Sequence, residues 1–184
     1  MKTESTVMYV LRLALILLAI TAVVAAALAG INSITKPIID QLNLEKTQKA
    51  IEAVLPGGFD EQITDYADAT GLVSKVYKGA NGYALEVTPG GFDNTITMMV
   101  GVDFEGKVTG ISVISHTETA GLGAVAAATT SAGETFRGQF VGMSGTVSVT
   151  KDGGAVDSIT GATITSRAIF VGVNAALECA ANMG

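Results

Sequence analysis

Cysteine and histidine are almost missing from this chain: Cys179 and His116 are the single examples in 184 residues. One cysteine cannot close a disulfide within the chain. A Cys/His zinc site would have too few ligands, and an iron–sulfur cluster needs several thiolates. A redox group carried here would therefore be organic and held by something other than sulfur. Tryptophan is absent. Charge is sparse too, at 15% of residues against about 25% in an average soluble domain. The net charge of −6 offers no basic face, which argues against a nucleic-acid binder.

What is present is apolar: 48% of residues, with a mean hydropathy of +0.47. The distribution is uneven. Residues 13–35 carry no ionisable group, whereas beyond Lys36 there are 16 acidic and 8 basic residues. As a helix, 23 residues would reach roughly 34 Å at about 1.5 Å each, enough for a bilayer core of about 30 Å. Lys2, Arg12 and the Ala27-Leu28-Ala29 triplet also fit a cleaved signal peptide. The apolar run is longer than the usual signal core, so an uncleaved anchor is expected, ahead of a signal peptide or a buried core helix. Lysines and arginines flank both ends and do not fix orientation. The short tail and signal-like start place the N-terminus inside and the domain outside. The 148 residues after Lys36 suffice for one domain with its own core.

Periodicity predicts a helix over 37–55, with Leu44, Ile51 and Leu55 on one stripe, closed by Pro56-Gly57-Gly58. Strands are predicted over 72–78 and 83–88, around an Asn-Gly turn, and over 95–103 and 107–116, around Phe104-Glu105-Gly106. A further strand is expected at 145–150, followed by the turn Lys151-Asp152-Gly153-Gly154. After Thr163 the period becomes helical to about Ala181, with Ile164, Ala168, Val171, Ala175 and Cys179 on one face and Phe170, Val173 and Leu177 widening it. Cys179 then reads as a small core residue. The class is α+β: a membrane helix, and a domain with a mainly antiparallel sheet and a buried C-terminal helix.

Two segments could carry chemistry. Asp157-Ser158-Ile159-Thr160-Gly161-Ala162-Thr163 leads into the last helix. Free backbone N–H groups at a helix start attract an anion, but the dipole contributes only about 0.3–1 kcal/mol when exposed. Retaining a phosphate ligand would need more hydrogen bonds or a covalent bond. Ordinary capping by Thr160 or Thr163 explains the same residues. The loop His116-Thr117-Glu118-Thr119-Ala120-Gly121-Leu122-Gly123 holds two glycines that permit close approach to a ligand, or that simply serve turns. No general acid–base constellation is evident.

Taken in order, the N-terminal anchor, Gly90-Gly91-Phe92, the loop HTETAGLG, Phe136-Arg137-Gly138-Gln139-Phe140 and DSITGAT resemble the covalent FMN-binding domain of Rnf electron-transport G subunits. The C subunit of the sodium-pumping NADH:quinone oxidoreductase is a relative, usually longer. The family commonly has Pro where Ala120 stands and Ser where Thr160 stands.

The resemblance implies that Thr163 is esterified to the FMN phosphate by a separate flavin transferase, which uses FAD and a divalent metal. It makes Asp157, Ser158, Thr160, Gly161 and Ala162 part of the recognition sequence. It places Glu118, Thr119, Leu122 and Gly123 along the flavin, with His116 orienting their loop. Lys151 and Arg167 become candidate phosphate neighbours. The organisation is then a tail at 1–12, a transmembrane helix at 13–35 in contact with lipid, a stalk helix at 36–58 and an FMN-binding domain at 59–184. The implied function is electron carriage between ferredoxin and NAD, beside other Rnf subunits, with the domain on the extracytoplasmic side of the cell membrane. An anchored binding module without flavin, or a flavin domain serving another extracytoplasmic reductase, remain as alternatives.

Overall fold

The computed structural model describes residues 2–150 and 153–183. The chain divides into two units, Met1–Glu45 and Lys46–Gly184. Helix α1, Lys2–Val54, runs through Pro37 without a break. In the first unit its apolar side chains from Val7 to Leu44 are exposed. A helix apolar on all sides is suited to lipid, where its backbone bonds are satisfied internally. Leu44 is among the exposed residues, so it does not share the buried stripe expected with Ile51 and Leu55.

The second unit is built on one antiparallel sheet in the order β1 (Glu61–Ile63), β2 (Val73–Gly79), β3 (Gly82–Val87), β4 (Thr97–Asp103) and β5 (Val108–Ser115). Each strand pairs with its sequence neighbour. The β4–β5 turn is the one expected, with Gly106 at φ 77°. At the β2–β3 turn no non-glycine residue has positive φ, so Asn81 does not take the left-handed conformation that Asn-Gly favours.

Alternation sorts the strand residues onto two covered faces. Leu85, Val87, Met98, Val100 and Val102 join the main core with α3 (Thr163–Ala181). Tyr77, Ala84 and Met99 turn the other way and pack with Ala50, Ile51, Val54 and Leu55 from the end of α1. Strand β3 is buried along its whole length for this reason. Gly101 and Gly110 face each other across β4 and β5 and leave room for the helix end. A Cβ on Gly101 would collide with the Val54 carbonyl, and one on Gly110 would lie 3.4 Å from Val54 Cα. Thr109 donates its hydroxyl to the same Val54 carbonyl.

The predicted strand at 145–150 does not form. Among the described residues the segment makes one isolated bridge, Val149↔Val156, and another, Lys107↔Ser144, lies just before it. Its backbone at Val147 is engaged by the side chain of Asn174 instead. The turn residues Lys151 and Asp152 lie outside the described residues.

On α3, Ala168, Phe170, Val173, Ala175, Leu177 and Cys179 are buried, but Ile164 and Val171 are about half exposed. The buried face is centred away from them. Two short helices that periodicity does not predict follow β5: a 3-10 helix at Gly123–Ala126 and α2 at Ser131–Gly138.

Candidate functional site

A cleft of about 330 Å³ opens between the segment after β5 and the start of α3. The loop contributes Glu118, Thr119, Leu122 and Gly123; the helix approach and first turn contribute Gly161, Ala162, Thr163, Ile164 and Thr165; Phe92 completes the lining. Seven of the anticipated residues are thus brought together: Glu118, Thr119, Leu122, Gly123, Gly161, Ala162 and Thr163. Asp157, Ser158 and Thr160 do not line the cleft. Lys151 lies outside the described residues.

Asp157 is held by its backbone. Its N–H donates to Gln139 Oε1 at 2.9 Å, and its carbonyl accepts from Gln139 Nε2 at 3.4 Å. Its carboxylate accepts from the Thr150 hydroxyl at 3.1 Å.

Capping differs from expectation. Neither Thr160 nor Thr163 caps α3; the cap position is Ala162, with no side-chain hydrogen bond. Ser166 works from inside the helix: its hydroxyl donates to the Ala162 carbonyl at 2.9 Å and accepts the Ile159 N–H at 2.9 Å. With Ala162 at the cap position, no cap side chain competes for the first-turn N–H groups. That arrangement suits an anion.

Glycine shapes the approach. Gly161 sits at φ 78°, and a Cβ there would come within 3.0 Å of Leu122 Cδ2. A Cβ on Gly123 would collide with Thr165 Oγ1 and the Glu118 side chain. These positions need glycine for conformation in one case and for space in the other.

Glu118 joins three walls. One carboxylate oxygen accepts the Phe92 N–H at 2.8 Å and the other accepts the Thr165 hydroxyl. The Glu118 N–H donates to His116 Nδ1 at 3.2 Å, so His116 folds back on its own loop and is not part of the cleft lining. Behind the loop, Arg137 of α2 donates to the carbonyls of Ala126 and Ala128 at 2.7 and 3.0 Å. Burial lowers the pKa of that guanidinium from its ordinary value, while nearby Glu134 acts in the opposite direction.

Phe92, Ile164 and Thr165 are site residues that the sequence did not assign. Phe92 was visible only as part of Gly90-Gly91-Phe92. Thr165 is one of three hydroxyls in the first turn, with Thr163 and Ser166, and nothing local marks it out.

The lining fits FMN. The volume lies within the range of about 300–1,000 Å³ typical of ligand clefts. Phe92, Leu122 and Ile164 offer exposed apolar surface for a flat ring, and the uncapped helix start suits a phosphate. Among the described residues no group of three or more His, Cys, Asp or Glu could hold a metal.

A family profile described as FMN-binding domain matches residues 91–178, a span that includes every residue of the cleft. The chain is 32% identical to the G subunit of the Na(+)-translocating ferredoxin:NAD(+) oxidoreductase complex of Acetobacterium woodii, over 95% of this chain and 93% of that protein. It is 34% identical to the G subunit of the ion-translocating oxidoreductase complex of Methanosarcina acetivorans, over 86% and 88% of the two chains. The corresponding G subunit of Photorhabdus laumondii is 36% identical over 84% and 82%.

The chain belongs to the Rnf G-subunit family. As in that family, it carries an FMN-binding domain. With the N-terminal apolar helix, membership makes it a membrane-anchored protein. Helix α3 is also apolar and long enough to cross a bilayer, but in this G-subunit fold it is largely buried against the sheet.

Proposed function

We propose that this chain is the flavoprotein subunit of an ion-translocating ferredoxin:NAD oxidoreductase complex, carrying electrons through an FMN joined to Thr163 by a phosphoester bond. The observation that carries the reading is the place of Thr163. It is the first residue of α3, half-buried in the cleft lining, beside a helix start with no side-chain cap. The same hydroxyl ends the Asp157–Thr163 pattern.

In this reading a flavin transferase loads the domain. The Thr163 oxygen bonds to the phosphorus of the FMN half of FAD, the diphosphate linkage breaks, and AMP leaves as the hydroxyl loses its proton. FMN then supplies the redox chemistry. The chain's own residues hold and shield it. The N–H groups of the first turn of α3 would hold the phosphate, and glycine at 161 would leave the backbone open to it. Phe92, Leu122 and Ile164 would cover the ring and exclude water from it. Residues 13–35 hold the protein in lipid, the domain lies on the extracytoplasmic side, and other Rnf subunits donate and accept electrons. A covalent bond suits that side, because dissociated FMN would be lost by dilution.

Denaturing-gel fluorescence tests the reading. Co-expression of the full chain with the flavin transferase should give a fluorescent band that survives denaturation and disappears in Thr163→Ala. A dark wild-type band would favour an anchored module without flavin.

A further inference from the structure

Among the described residues, two carboxylates are buried in the folded unit, Glu86 and Glu118, each 7% exposed. Glu86 meets Lys75 Nζ at 3.1 Å. Glu118 has no ion-pair partner among the described residues. His116 makes no ion pair with it: its Nδ1 accepts the Glu118 N–H at 3.2 Å.

Both Glu118 oxygens are engaged, one by the Phe92 N–H and the other by the Thr165 hydroxyl. A neutral glutamine could also satisfy both partners. Its oxygen would accept from Phe92, and its amide would donate to the Thr165 oxygen. The hydrogen bonds alone therefore do not account for a charge here, and a buried unpaired charge is costly. The carboxyl group stands in the wall of the cleft.

We propose that Glu118 positions the walls of the flavin site through Phe92 and Thr165, and that its negative charge, which has no ion-pair partner among the described residues, makes electron uptake by a flavin held there less favourable. The effect is Coulombic and is amplified where the surroundings are poorly polarisable. The proposal rests on the reading that FMN occupies this cleft.

The test compares full-length, flavinylated wild type with Glu118→Gln and Glu118→Ala, reading the flavin midpoint potential by spectroelectrochemistry together with Tm and the flavin absorption band. Both neutral variants should have a more positive midpoint than wild type. Glu118→Gln should keep the wild-type band, whereas Glu118→Ala, which releases Phe92 and Thr165, should also lower Tm and shift the band. An unchanged or more negative midpoint in Glu118→Gln overturns the proposal, as does failure of both variants to hold flavin. A wild-type chain that takes up no flavin overturns the functional reading instead.

Discussion

The side-chain amide of Asn174 takes both backbone groups of Val147: the Val147 N–H reaches Oδ1 at 2.8 Å, and Nδ2 reaches the Val147 carbonyl at 2.9 Å. One residue on α3 thus does for the segment at 145–150 what a neighbouring strand would otherwise do. Val147 is buried, so its backbone groups need these partners. Asn174→Leu should destabilise the folded unit by about 1–3 kcal/mol. Asn174→Asp should also destabilise it, because a carboxylate cannot donate to the carbonyl. Denaturant unfolding would show this, and a wild-type midpoint in both variants would contradict it.

Gly123 and Gly101 separate cleft effects from fold effects. A Cβ at Gly123 would strike Thr165 and Glu118, whereas one at Gly101 would strike the Val54 carbonyl on the far face of the sheet. Overpacking of this kind costs about 1–3 kcal/mol. Gly123→Ala should lose flavin or shift its absorption band. Gly101→Ala should lower Tm while leaving the band in place. The paired measurement is absorption and thermal melting on both variants.

Cys179 should be inert in the folded state. Burial, with Asp68 and Glu178 adding negative charge nearby, pushes its thiol up to about 11. At pH 8 very little thiolate is then present. Alkylation followed by intact mass should show no labelling until denaturant is added. Rapid labelling of the native protein would contradict the core assignment.

Asp68 should contribute an acid-sensitive increment of stability. Burial raises its pKa, but hydrogen bonds from the Thr70 hydroxyl and the Val73, Thr70 and Gly71 N–H groups outweigh that and leave the carboxyl below its ordinary 3.8. Folding therefore favours the ionised form. The contribution is present above pH 3.8 and is lost as pH falls through the lower folded value. Solvent screening limits it to about 1 kcal/mol or less. Asp68→Asn should flatten the acid limb of the stability profile, and an unchanged profile would remove this role.

Periodicity was informative where one pattern ran long enough. Helix α3 spans Thr163–Ala181, close to the stretch marked by its apolar spacing, and Gly106 occupies the left-handed turn position expected of it. The segment at 145–150 alternates like a strand, yet at Val147 its partner is the Asn174 side chain, which no local pattern reveals. Helix α2 is short, and its sequence SAGETFRG contains two glycines, so propensity gave no clear signal. Cap residues misled because Ser166, inside the helix, engages Ile159 and Ala162. In the cleft, Glu118 and Leu122 belong to the His116–Gly123 loop that the sequence singles out. Thr165 entered through a hydrogen bond to a residue 47 positions away, a relationship that only the fold creates.

The bond at Thr163 is tested most directly by peptide mapping of the protein taken from its native complex. Trypsin cuts after Lys151 and Arg167 and so releases residues 152–167. That fragment holds Ser158, Thr160, Thr163, Thr165 and Ser166, and fragmentation distinguishes among these hydroxyls. An FMN phosphoester mass on Thr163 is the expected outcome. Recovery of the peptide unmodified, or modified at another hydroxyl, would contradict it.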